Sequence, residues 1–420
     1  MKKNIVIIIF SRYGGTFLIG ISGILISRYL GVVQTGQLGF LQTIFTILGT
    51  FAGLGQISAG STLMLSTNKA KWNYINNVSS IIYTLSSSLF ILFIFTFFRQ
   101  YIDQKLIFFC LSFSLISGSL DLFPLRWELE QNSKKVASFS LWSSFFTVFL
   151  RILGALFSLQ LYYFCLLPGL TRILSFYIIY FSKIKKIMKE VFNKKHYSNF
   201  INQVKQVNYK EHFNLGLITG VESLLFNGAQ RLDILMLRKF AQEPLTSIGI
   251  YVGANKYFTF AIPLAGIVTT AVAGNFIQKN NVTDRSNMIK FFEQKLPKFL
   301  FIIISISILI YIAAPILENL LGEDFKGVRE VLIALSFGYL PFSLSIWFNK
   351  QIKISAISKK DYVIIPSIVI VINFLFNFYF IDKLRMGALG AAYATTISYW
   401  IKAFLLFMLI SKYKSKFIKS

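Results

Sequence analysis

The stretch FLFIIISISILIYIAAPIL, residues 299–317, carries no charge and is bounded by Lys295 and Lys298 on one side and Glu318 on the other. A helix needs about 20 mostly apolar residues to cross the hydrocarbon of a bilayer, so this stretch reads as a transmembrane span. The same rule divides the rest of the chain. Runs at 4–27, 37–65, 78–98, 105–125, 136–159 and 161–182 precede the longest polar stretch, and runs at 212–237, 248–276, 327–349, 362–381 and 386–410 join 299–317 after it. The expectation is an all-α polytopic membrane protein of about twelve transmembrane helices.

Composition supports this reading. With 55% hydrophobic residues, 17% aromatic residues and a mean hydropathy of +0.62, a 420-residue chain has too little polar surface for a soluble globule. Charged residues are only 14% of the chain, against about 25% in soluble domains, and they gather between the apolar runs. A net charge of +26 could suggest a nucleic-acid partner, but no stacking platform or recognition motif accompanies it, so none is expected. Cys110 and Cys165 lie inside apolar runs and read as small hydrophobes. The run after Lys2 and Lys3 continues past Ser22 without a small-residue cleavage site, as in a first span rather than a signal peptide.

Lys and Arg distribution tests the count, because they accumulate in cytoplasmic loops. With the N-terminus inside, inner segments carry 28 Lys and Arg and outer segments 9. Twelve spans with both termini cytoplasmic satisfy the rule, and a single miscounted span would reverse it in half the chain. A multi-pass protein of a bacterial cytoplasmic membrane is expected. The loop 183–211 holds eight lysines and divides the spans equally, so it reads as a basic connector along the anionic inner leaflet or a merely solvated loop. The expected organisation is a six-helix bundle over 1–182, the connector, and a second bundle over 212–420. A shift of 210 residues places Arg28 on Arg238, Leu30 on Phe240 and Gly39 on Gly249, a weak repeat of the kind from which transporters are built. The binding site is then expected in a central cavity between the halves. Gly49, Gly53, Gly55 and Gly60 suggest that the second span is tilted, kinked or broken near Gly53. Pro168, Pro263, Pro315, Pro341 and Pro366 fall inside spans, where each allows a kink.

Ionisable residues at membrane depth cost about 2.5–3.5 kcal/mol or more, so they normally face a cavity or a partner. Here most are basic: Arg12, Arg151, Arg172, Arg231, Lys256 and Lys402. Together they suggest a cavity that accepts an anion. Arg231, Lys256 and Lys402 could equally snorkel along their alkyl stems, whereas Arg12, Arg151 and Arg172 lie too centrally for that. The acids are Asp121, Glu222 and Asp233. Glu222 and Asp233 are about three helical turns apart and share a face, as candidates for ion coupling or for internal ion pairs. No phosphate-binding glycine loop, paired-Asp motif or long extramembrane stretch is present, so no cofactor and no enzymatic role are expected.

Several stretches carry a family resemblance: ISRYLGVVQTGQLG (26–39), RLDILML (231–237), GIYVGANKY (249–257), LGEDFKGVREVLIAL (321–335) and NFLFNFYFIDKLRMGALGAAYATTIS (373–398). With them the chain resembles the polysaccharide (O-antigen) flippases of the Wzx type, in the superfamily that also holds the multidrug and toxic-compound extrusion (MATE) transporters. The resemblance implies two six-helix bundles facing a central cavity. It also implies transfer of an undecaprenyl-diphosphate-linked oligosaccharide between leaflets by alternating access, with membrane lipids, a polysaccharide polymerase and chain-length proteins as partners. Asp233 matches the family's seventh-span acid, and central basic residues are those assigned to substrate handling. Twelve spans depart from the fourteen-span peptidoglycan-precursor flippases. The first-span acid of many drug exporters has no counterpart, because that span holds Arg12. Two other readings compete. A cation-coupled exporter of small amphiphiles would need a cavity rich in acids and aromatics, and a membrane-embedded polysaccharide polymerase or ligase would need a large external loop.

Overall fold

A computed structural model describes residues 2–53, 55–57, 60, 72–97, 105–129, 132–191, 209–279, 285–354 and 361–419. Among them are twelve α-helices: α1 (Lys2–Ala52), α2 (Trp72–Phe97), α3 (Lys105–Ser117), α4 (Leu122–Leu129), α5 (Ser133–Leu156), α6 (Leu161–Val191), α7 (Tyr209–Phe240), α8 (Pro244–Lys279), α9 (Arg285–Leu321), α10 (Val328–Ile354), α11 (Asp361–Asn377) and α12 (Gly387–Lys419). A 3₁₀ turn, Gly118–Asp121, joins α3 to α4, and a π-helical turn, Phe378–Lys383, extends α11. The helices match the expected spans, with α3 and α4 together forming the fourth and α1 containing two.

The join between the two spans within α1 is tight. Two helices meet at Gly31, which leaves the helical region at φ 73° and ψ 171°, and the chain turns back there, since Thr35 Oγ1 reaches Ser27 O at 3.4 Å across eight residues. Glycine takes this left-handed φ without the Cβ clash of other residues. The second arm ends at Ala52, and Gly55 turns the chain at φ +62°, so the expected break near Gly53 is present.

By Cα proximity the chain forms two compact units, Met1–Ser22 with Leu41–Asn227, and Gly23–Phe40 with Gly228–Ser420. Glycines explain why the exchanged segments sit where they do. A Cβ on Gly36 would lie 1.9 Å from Leu245 O, and one on Gly249 would lie 2.0 Å from Val32 O, so 23–40 lies backbone to backbone against the start of α8. A Cβ on Gly55 would lie 2.2 Å from Gly216 O, which sets the start of α7 against the first unit in the same way.

In the first unit α6 packs on α3 and α5, while α2 packs on α3 and α4. Cys110 and Cys165 are buried and free. In the second unit α10 is the hub, packed by α8, α9 and α12. Phe258, Tyr339 and Trp347 fill its core. Tyr339 Oη donates to Ala261 O at 2.7 Å and Thr396 Oγ1 to Ala334 O at 2.9 Å. The most apolar helix is not the most buried one. The α9 window has mean hydropathy 2.7 and is 17% buried, whereas the α10 window has 1.8 and is 72% buried. Phe301 and Leu309 of α9 are 74% and 64% exposed. Hydropathy here follows exposure, the reverse of a soluble core, and eight helices among the described residues are long and apolar enough to cross a membrane. The protein is a multi-pass membrane protein.

Candidate functional site

Asp233 lies about two turns before the C-terminal end of α7 and is 2% exposed. Three uncharged donors surround it. Tyr251 Oη of α8 donates to Oδ2 at 2.7 Å, Thr395 Oγ1 of α12 donates to the same oxygen at 2.7 Å, and Asn377 Nδ2 of α11 donates to Oδ1 at 2.8 Å. The two hydroxyls are 3.2 Å apart, and Asn377 Nδ2 also reaches Asn373 Oδ1 at 3.0 Å. Four helices thus converge on one carboxylate, and their hydrogen bonds offset the cost of burying it. Asn377 Oδ1 has no hydrogen-bond partner among the described residues. The sequence left open whether an arginine would meet Asp233; the structure meets it with neutral donors. The site collects the oxygens of one acid, two hydroxyls and two amides, a donor set suited to a hard monovalent cation or to a proton on the carboxylate.

The donors join three of the stretches noted in sequence: RLDILML holds Asp233, GIYVGANKY holds Tyr251, and the 373–398 stretch holds Asn373, Asn377 and Thr395. No pair rule reaches across these separations. The only advance signal was that three loose stretches each kept polar residues within apolar runs.

In the first unit, Arg151 Nη1 donates to Ile19 O and Ser22 Oγ, both at 2.9 Å, tying α5 to α1. It meets no carboxylate among the described residues, so its charge is held by neutral acceptors alone. Arg172 differs. Its Nε lies 3.2 Å from Asp121 Oδ1, and its Nη1 donates to Ser114 O at 3.2 Å. The structure brings these two sequence candidates together as an internal ion pair between α6 and the 3₁₀ turn, and Asp121 offsets the cation that central position had assigned to an anion.

In the second unit, Lys256 Nζ donates to Gly23 O at 3.3 Å and to Ser27 Oγ. The amine is anchored near the end of the first arm of α1. Arg231 and Lys402 are partly buried on α7 and α12. The side chains of Arg12 and Glu222 lie outside the described residues.

No protein-family model matches the chain, and no curated protein sequence matches it. Solved structures do. An inward-facing multidrug resistance MATE family transporter of the MOP superfamily aligns with TM-score 0.70 at 14% identity, covering 96% of each chain. The lipid II flippase MurJ, inward closed, aligns at 0.67 with 18% identity, covering 97% of this chain and 87% of its own. A eukaryotic MATE transporter aligns at 0.66 with 12% identity over 100% and 97%. The chain has the MATE fold. The expected fold class therefore stands, and it is shared by proteins named as multidrug resistance transporters and one named as a lipid II flippase.

Proposed function

We propose that this protein is a flippase that moves an undecaprenyl-diphosphate-linked oligosaccharide from the inner to the outer leaflet of a bacterial cytoplasmic membrane by alternating access. Transport is coupled to a monovalent cation or proton at Asp233. The observation that carries coupling is the buried carboxylate held by Tyr251, Thr395 and Asn377 with Asn377 Oδ1 left over. A positive charge arriving there would satisfy the spare acceptor and neutralise the acid, altering contacts among four helices at once. The substrate reading rests on intramembrane cations. Arg151 keeps an uncompensated charge at depth, which favours a diphosphate over a cationic drug. Arg172, balanced by Asp121, is assigned to holding the first unit together instead.

The test is complementation of a flippase-deficient bacterium, reading both surface polysaccharide and the leaflet that holds lipid-linked repeat units. Restored polysaccharide, lost in Arg151→Gln at equal protein level, is expected. Protein present in the membrane with repeat units still inside would reject the reading and turn attention to drug efflux.

A further inference from the structure

α9 has 37 residues and α12 has 33. At 1.5 Å per residue they run about 55 and 50 Å, well beyond the roughly 30 Å of bilayer hydrocarbon. Their surplus lies at lysine-rich ends that meet: Lys414 Nζ donates to both carboxylate oxygens of Glu293, at 2.8 and 2.9 Å. Phe292 and Phe299 of α9 are 0% and 1% exposed, with ring centroids 5.1 and 4.4 Å from that of Trp347 on α10. The projecting end of α9 is therefore wedged in place on one side. On the other side Lys290 and Lys298 are exposed, and Lys295 lies over the Phe291 ring at 5.7 Å. Lys414 already neutralises Glu293, so these three amines form a net positive surface. Only three residues beyond Lys298, Phe301 begins the exposed apolar face of the helix. Lys298 thus stands within about one turn of the lipid-facing surface, with Lys295 about two and Lys290 about three turns from it along the helix, so the amines run from headgroup depth outward, within reach of their flexible stems.

We propose that the joined ends of α9 and α12 form a docking surface for the headgroups of anionic phospholipid in the adjoining leaflet. Amines carried on a wedged helix, next to a face that lipid chains cover, complement a phosphodiester whose acyl chains lie along Phe301 and its neighbours. The inference does not depend on the transported substrate.

The test uses the full chain in detergent with fluorescent phosphatidylglycerol or phosphatidylcholine. Phosphatidylglycerol is expected to bind, with phosphatidylcholine at least about tenfold weaker. Lys290→Gln with Lys298→Gln should weaken phosphatidylglycerol about ten- to thirtyfold, while Lys290→Arg with Lys298→Arg preserves it. Equal binding of the two lipids, wild-type binding by the glutamine variant, or loss of binding in the arginine variant would each overturn the proposal. So would competition by inorganic diphosphate as effective as that by phosphatidylglycerol, since the ligand would then be a free phosphate group or the substrate's own. If the glutamine variant fails to fold, salt decides on the wild type: affinity unchanged as ionic strength rises overturns the proposal, and a steep fall supports it.

Discussion

Replacing Asp233 separates a structural acid from a coupling acid, because two substitutions make different demands on the same cradle. Asp233→Ala removes three charge-assisted hydrogen bonds at once. Some of the loss is recovered, since Tyr251 and Thr395 are 3.2 Å apart and can bond each other, and Asn377 keeps Asn373. About one to two buried groups are left unmatched, at roughly 1–3 kcal/mol each, while the cost of burying the charge disappears. The net expectation is a loss of about 2–4 kcal/mol. Asp233→Asn is milder. The hydroxyls of Tyr251 and Thr395 can turn from donors into acceptors for the new amide, and its carbonyl can still accept from Asn377. That variant should lose no more than about 1.5 kcal/mol and keep the four helices in place. Thermal unfolding in detergent reads stability, and transport in proteoliposomes at varied cation concentration and pH reads coupling. The account expects Asp233→Asn to fold like the wild type while transport loses its dependence on the cation gradient. A folded Asp233→Asn protein with unchanged cation dependence would refute the coupling argument, and one as unstable as Asp233→Ala would refute the hydrogen-bond argument.

Gly36→Ala should destabilise by about 1–3 kcal/mol, because its Cβ would fall 1.9 Å from Leu245 O, whereas Gly228→Ala, with nothing within 4 Å, should stabilise α7 by up to about 1 kcal/mol; thermal midpoints compare them. Asp121→Asn should strand the Arg172 cation and lower stability, and adding Arg172→Gln should recover part of it, a coupling of about 1–3 kcal/mol in a double-mutant cycle; strictly additive effects would refute the pair. Arg385 takes φ +55° without being glycine, so Arg385→Gly should be neutral or stabilising by up to about 1 kcal/mol in the same unfolding assay, and clear destabilisation would assign the side chain a contact that outweighs its strain.

Sequence reading finds the parts of this fold that hydropathy governs and misses the rest for identifiable reasons. The spans are legible because each apolar run must satisfy the hydrocarbon. The helix ends are less so: α6 continues nine residues past its expected end at 182, and α9 begins fourteen before 299. Hydropathy marks where lipid stops, while the backbone stays helical through lysines, which are good helix formers. The turn at Gly31 is tighter than the gap between the expected spans for the same reason, since Gln34, Thr35 and Gln37 leave the apolar pattern but not the helix. Asp233 stood out as a charge at depth. Its donors did not, being neutral residues 18, 144 and 162 positions away that polarity alone cannot single out. Asp121 and Arg172 were each legible as charges, but their pairing depends on how α3 and α6 pack.

The most direct test of the central claim is leaflet transfer in proteoliposomes. An undecaprenyl-diphosphate-linked oligosaccharide is placed in the membrane, and its exposure on each face is followed with a membrane-impermeant lectin or glycosidase under an imposed cation gradient. The account predicts that the wild type transfers the lipid in response to the gradient, that Asp233→Asn abolishes the response, and that Arg151→Gln slows transfer at any gradient. Transfer no faster than in protein-free vesicles, from wild-type protein shown to be folded, under every gradient and with repeat units of several compositions, would contradict it.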